Sequence, residues 1–215
     1  MPVVTVYGVL PSPFCRPVLM TAKAVGVDVE MKTTSPLTGD THKPEYLEMN
    51  PRHNIPTMDD DGYILTESRA IMCYLVDKFG EDDDPLFPKD PQLRNRILER
   101  MLFDVGCLSQ RCYDYYNREW IFGDGDLDES KLAPLTEAMG FLDKYLEDSS
   151  WVAGDNMTLA DIGLCVTLIQ LEVFGMDFEP YANVTRWYEA CKTDVPGFDE
   201  INEEGVKIFK AIINK

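Results

Sequence analysis

Short β-rich runs alternate with helical ones over the first eighty residues. Val3-Val4-Thr5-Val6-Tyr7 is largely β-branched and ends at Gly8, the pattern of a buried strand. Val27, Val29 and Met31 alternate with Asp28, Glu30 and Lys32, so a second strand has one solvated face. Between them runs a helix through Val18–Val25 that ends at Gly26. Proline is tolerated only in a helix's first turn, so Pro17 confines the start to about Pro13 or Phe14. Ser12 is thereby placed at the helix N-terminus, facing unpaired N–H groups and the positive end of the dipole. A short helix over Pro44–Met49 follows, then Ile55–Met58, the acidic turn Asp59-Asp60-Asp61-Gly62, and Tyr63–Leu65. An Asp-Gly turn between two such runs predicts a hairpin. A helix from Glu67 to Phe79, capped by Gly80, completes a β-α-β-α-β-β-α order. That order fits a small mixed sheet, parallel in its first half and closed by a hairpin.

Residues 81–91 are acidic, rich in proline and without periodicity, and mark a linker between a domain over 1–80 and another over 92–215. The second domain reads as helix throughout. Arg94 to about Tyr116 is one long amphipathic segment and Glu129 to Glu147 another. Thr158-Leu159-Ala160-Asp161 is a capping box, with Met157 and Ile162 at the staple positions, and opens an almost wholly apolar helix to Phe174. Asn183–Lys192 and Glu203–Ile213 follow.

Two places resist a purely structural account. Pro56 cannot donate to a sheet ladder, so either it opens an edge strand in trans, or a cis Ile55-Pro56 bond turns the Ile55 backbone toward an extended peptide. At Glu67-Ser68, the first free N–H groups of a helix, a hydroxyl and a carboxylate converge. The corner is either ordinary capping or a grip for a ligand bearing both a carboxylate and an ammonium group.

Charge and cysteine usage narrow the classes. With 38 acidic against 20 basic residues the net charge is −18, which disfavours nucleic acid and anionic membranes as partners. Cys15, Cys73, Cys107, Cys112, Cys165 and Cys191 show no C-x-x-C or zinc-like spacing, and two histidines are too few for a histidine-rich site, so no metal is expected. Without a secretory pattern or a long apolar run, the thiols read as reduced and the location as cytoplasmic.

A proline opening the third strand and a reactive position where the first helix begins resemble the thioredoxin fold. Ser12-Pro13-Phe14-Cys15 resembles the C-P-[YF]-C motif of glutaredoxins, with serine in place of the nucleophilic cysteine. Followed by an all-α domain, this architecture is similar to the cytosolic glutathione S-transferases, above all the serine-type insect delta and epsilon classes. The resemblance rests on Ser12-Pro13-x-Cys15-Arg16, Asn50-Pro51-x-His53-x-Ile55-Pro56, Glu67-Ser68-Arg69-Ala70-Ile71 and Thr158-Leu159-Ala160-Asp161, in order along the whole chain.

The resemblance implies a thioredoxin-like α/β domain that binds glutathione and an all-helical domain that carries a hydrophobic-substrate pocket. It implies a homodimer that detoxifies xenobiotics by joining glutathione to hydrophobic electrophiles. Ser12 would stabilise the thiolate. Ile55 would pair with the cysteinyl backbone, and Glu67 and Ser68 would take the γ-glutamyl group. His53 and Asn54 would lie at the glycyl end, while Arg69 and Asp104 would belong to the anchoring charges. His42 stands one residue after the family's usual histidine, at which Thr41 sits here, and is either solvated or a further contact. Leu10, Pro11, Val105, Leu108, Ser109, Cys112, Tyr113, Tyr116 and Phe209 are the implied substrate-pocket residues, although a stripe at helical spacing is also what a core requires. Two alternatives stand beside conjugation. One is glutathione-dependent redox chemistry, as a thiol oxidoreductase in which Cys15 forms a mixed disulfide with glutathione or as a peroxidase-type activity, and the other is carriage of hydrophobic ligands without reaction.

Overall fold

The β-branched run at the N-terminus forms β1 (Val3–Gly8), an inner strand of a four-stranded sheet of order β2-β1-β3-β4. The computed structural model describes residues 3–116 and 118–213. Val4 and Val6 of β1 are fully buried, as strict alternation on an inner strand requires. Helix α1 (Cys15–Ala24) leads to β2 (Asp28–Thr33), which pairs parallel to β1. Helix α2 (Pro44–Met49) then leads to β3 (Thr57–Asp60), antiparallel to β1, and to β4 (Tyr63–Thr66), antiparallel to β3. Helix α3 (Ser68–Phe79) closes this part with Gly80 as its cap. The Ile55–Pro56 bond is cis and precedes β3.

The hairpin turn is tighter than the run of aspartates suggests. Asp59 and Asp60 lie inside β3, and only Asp61 and Gly62 turn the chain, at φ of 52° and 90°. Asp60 tolerates its place in the strand because α3 supplies partners: Tyr74 Oη donates to it at 2.6 Å and Lys78 Nζ pairs with it.

The helical part contains α4 (Pro91–Phe103), α5 (Ser109–Tyr115), α6 (Arg118–Phe122), α7 (Leu132–Tyr145), α8 (Leu159–Val173) and α9 (Ala182–Asp194). The single long helix expected over Arg94–Tyr116 starts at Pro91, where Asp90 accepts from the N–H groups of Gln92 and Leu93. A π-helical turn over Asp104–Leu108 then separates α4 from α5, a register change that hydrophobic periodicity does not reveal. Around α8 the capping box forms as read from the sequence, and Leu159 to Leu171 are buried without a break. Among the described residues no helix is long and apolar enough to cross a membrane.

The chain divides into two units, one of Met1–Asp84 with Pro196–Phe209 and the other of Pro85–Val195 with Lys210–Lys215. The break at Asp84 falls in the acidic, proline-rich segment. The last helix, α10 (Phe198–Ile213), begins five residues before the predicted Glu203, and up to Phe209 it belongs to the first unit. Side chains explain that placement. Arg16 Nη1 donates to Asn202 Oδ1 at 3.0 Å, Lys23 pairs with Glu200, and a methyl group at Gly205 would lie 2.8 Å from the Leu10 carbonyl oxygen. Glycine at 205 is what allows the helix to approach the loop after β1 so closely.

Candidate functional site

Sheet register decides which residues meet. Tyr7, Thr57 and Thr66 form one rung across β1, β3 and β4. The chain leaving β1 toward Ser12, the chain entering β3 from Asn54-Ile55-Pro56 and the chain leaving β4 into Glu67-Ser68 therefore share one end of the sheet. Thr34, just past β2, donates its N–H to the Gly8 carbonyl at 2.9 Å and brings the segment leading to His42 to the same end. This is the carboxyl end of parallel strands β1 and β2, where α/β sheets commonly hold ligands.

Ser12 lies just ahead of α1. Its hydroxyl oxygen accepts the N–H groups of Phe14 and Cys15, each at 3.3 Å, and its carbonyl accepts those of Cys15 and Arg16 at 3.2 Å. The helix starts at Cys15, slightly later than Pro17 alone would require, because Ser12 takes up the first free donors. With its lone pairs facing the helix, the hydroxyl keeps one hydrogen to donate.

Across the corner, Glu67 precedes α3 with φ of 68° and ψ of 108°, a backbone conformation rarely adopted by a residue with a side chain. Its carbonyl accepts the Ile71 N–H at 2.9 Å, while its carboxylate is exposed. Ser68 is buried, and Arg69 Nη1 donates to the Ser68 hydroxyl at 3.3 Å. The rings of His42 and His53 stack with centroids 4.5 Å apart, so the two histidines act as one exposed surface. Beneath them Asn50 is almost wholly buried and donates to the carbonyl and side-chain oxygens of Asn54 and to the Thr57 hydroxyl, at 3.0, 2.8 and 3.0 Å. Tyr46 Oη donates to the Asn54 carbonyl at 2.6 Å, fixing the same loop.

The remaining expected residues belong to the helical unit. Asp104 is fully buried at the start of the π-helical turn and accepts the Thr167 hydroxyl at 2.6 Å. Leu108, Ser109, Cys112 and Tyr116 are buried, whereas Val105 and Tyr113 keep part of their surface open. The Tyr116 ring lies against those of Tyr115, Trp120 and Phe174, with centroids 4.6 to 5.1 Å apart. Leu10 and Pro11 are half-buried in the loop after β1, and Phe209 is buried on α10. Among the described residues no group of three or more His, Cys, Asp or Glu is arranged to hold a metal ion.

Comparison with known proteins agrees with this architecture. Residues 2–77 match the glutathione S-transferase N-terminal domain family and residues 114–193 the glutathione S-transferase C-terminal domain family. Glutathione S-transferase D7 of Anopheles gambiae is 43% identical over 208 residues, covering 96% of this chain and 94% of that protein. The chain belongs to the glutathione S-transferase family. A delta-class glutathione transferase of Nilaparvata lugens is 44% identical with a TM-score of 0.93 and 98% of both chains covered. A Bombyx mori glutathione transferase, BmGSTD1, solved as a complex with GTT, is 41% identical with a TM-score of 0.91 and 97% of both chains covered. By these relatives the enzyme is a glutathione S-transferase of the insect delta class, with the thioredoxin-like and helical domains of that fold and glutathione as its co-substrate.

Sequence reasoning missed several residues that hold the transferase's corner together. Arg52, whose guanidinium pairs with Glu67, sits in a polar run that gave no sign of it. Asn50 stands in the sequence only as part of the Asn50-Pro51 motif and Tyr46 only inside a short helix, with no sign that both hold the Asn54 loop. Asn202 and Gly205, which meet Arg16 and the Leu10 carbonyl, stand almost 200 positions from the loop they support. Cys15 is fully buried, and burial pushes its thiol up to about 11, so it stays protonated near neutrality.

Proposed function

We propose that this transferase joins the thiolate of glutathione to hydrophobic electrophiles, with the Ser12 hydroxyl as the donor that stabilises the sulfur anion. One observation carries the reading. The Ser12 oxygen already accepts two helix N–H groups, so its hydrogen, which also faces the Cys15 sulfur, is the group that can turn to a ligand at the positive end of α1. A thiol with an ordinary pKa of about 8.5 becomes a competent nucleophile near neutrality if that value falls by ~2 units, or about 2.7 kcal/mol. A hydrogen bond to the charged sulfur contributes about 1.5 to 3 kcal/mol, and a helix N-terminus about 0.3 to 2. Together these suffice, and serine need not act as a base.

In this reading the Ile55 backbone pairs with the cysteinyl unit; among the described residues no other hydrogen bond engages it. Glu67 and Ser68 take the ammonium and carboxylate of the γ-glutamyl group, with Arg69 and Asp104 as anchoring charges. His53, Asn54 and the stacked His42 form the glycyl end. Val105 and Tyr113 are the stripe residues best suited to touch an apolar substrate, because they alone of the six keep open surface. What is usual in the family supports adding detoxification of xenobiotics, a homodimer and a cytoplasmic location to this reading. The burial and high pKa of Cys15 weigh against the thiol-oxidoreductase reading.

The test is conjugation of glutathione to a chlorodinitrobenzene-type electrophile. Ser12→Ala is expected to cut turnover and leave glutathione binding nearly intact, and unchanged turnover would remove Ser12 from the mechanism. Light scattering checks the dimer, which a monomeric mass would contradict.

A further inference from the structure

The carboxylate assigned to the ligand's ammonium already has a cationic partner on its own chain. Arg52 Nη1 donates to Glu67 Oε1 across the mouth of the corner. The Arg52 backbone is fixed, since its N–H donates at 3.0 Å to the Asn50 side chain, itself locked into the loop by Asn54 and Thr57. The paired ends are open to solvent, with 65% of the Arg52 side chain and 55% of the Glu67 side chain exposed. Glu67 does not need this arginine to hold its unusual backbone: β4 and α3 constrain it from both sides, and the Ile71 N–H anchors its carbonyl. Arg52 therefore acts on the carboxylate rather than on the backbone beneath it.

Building on the assignment of Glu67 to the γ-glutamyl group, we propose that Arg52 competes with the ligand's α-ammonium for the Glu67 carboxylate and so limits how strongly this subsite favours ligands that carry that ammonium. Two cations drawn to one carboxylate repel each other, so an arriving ammonium displaces the guanidinium, at least in part. An exposed ion pair is weak enough to be exchanged in this way. The released guanidinium stays tethered beside the corner and returns when the ligand leaves. Arg52 is thus a selectivity residue: it lowers the advantage of glutathione over an otherwise identical tripeptide without the amino group.

Arg52→Gln tests this, because the site is exposed and the substitution leaves the backbone contact with Asn50 in place. Affinity is measured by fluorescence quenching, and KM by conjugation, for glutathione and for its desamino analogue, glutaryl-cysteinyl-glycine. The ionic strength is held near 0.15 M, where general charge effects are screened beyond about 8 Å. The variant is expected to bind glutathione about two- to fivefold more tightly, with KM falling in step and no gain for the desamino analogue. Unchanged or weakened glutathione binding would overturn the proposal, as would an equal gain for both ligands. Failure of the unsubstituted enzyme to prefer glutathione over the desamino analogue would instead refute the assignment of Glu67 to the ammonium.

Discussion

Two helix starts in this molecule use the same device and finish it differently. At α8, Asp161 accepts the N–H groups of Val152 and Thr158, the Thr158 hydroxyl and the Trp187 indole, at 2.8 to 2.9 Å, and all of it is buried. At α1, Ser12 accepts two N–H groups at 3.3 Å and retains a hydrogen with which to donate. The first cap is closed, and its bonds are spent on joining α8 to α9 and to the turn before it. The second is open, and its remaining capacity is available for chemistry. A closed cap should fail by unfolding, and an open one by losing rate in a protein that stays folded.

Asp161→Ala puts the first half of that contrast at risk. It strands the buried donors of Val152, Thr158 and Trp187 and is expected to cost about 3 to 5 kcal/mol in urea unfolding. Ser12→Ala addresses the second half. Losing one hydrogen bond to a charged sulfur should slow conjugation by roughly 10- to 100-fold and shift the pH dependence of kcat/KM upward by about 1 to 2 units, while the lost cap costs only about 1 kcal/mol of stability. Equal stability losses in the two variants would erase the distinction.

Gly8→Ala sharpens it from beneath the open cap. A methyl group there would sit 2.5 Å from the Cys15 sulfur, and the overpacking should cost about 1 to 3 kcal/mol. Adding Cys15→Ala should restore most of that loss. The smallest effect concerns Cys15 itself. Because burial places its pKa near 11, above the ordinary thiol value, its reactive thiolate forms only as pH rises toward that range. Iodoacetamide should leave Cys15 unmodified at pH 7 to 8 in mass spectra of the folded enzyme and label it after denaturation. Rapid labelling in the folded state would revive a redox role.

What could be read from the sequence follows the same division. The α8 cap was legible because every element of it is local: Thr158 and Asp161 stand three apart and precede an apolar run. Ser12 could be placed because Pro17 limits where a helix starts, and that argument too spans only five residues. The sequence predicts the hairpin with too wide a turn, since three consecutive aspartates look like a loop, whereas Tyr74 and Lys78 of α3 hold Asp60 in the strand. The π-helical turn at Asp104–Leu108 left no mark, because buried positions on either side keep a helical rhythm through it. Arg52 stayed hidden for the reason most polar pairs do. Neither a charge nor its spacing says which opposite charge the folded chain brings near.

The return of α10 to the first unit has a consequence for how the enzyme is made. Asn202 and Gly205 sit against Arg16 and the Leu10 carbonyl, so the loop bearing Ser12 is complete only once residues 202–205, nearly 200 positions later, have been made. During synthesis the nascent N-terminal half must wait with an internal guanidinium short of one partner. A fragment ending at Asp84 would carry every glutathione-contacting residue assigned to that half and still lack the buttress that holds its serine steady.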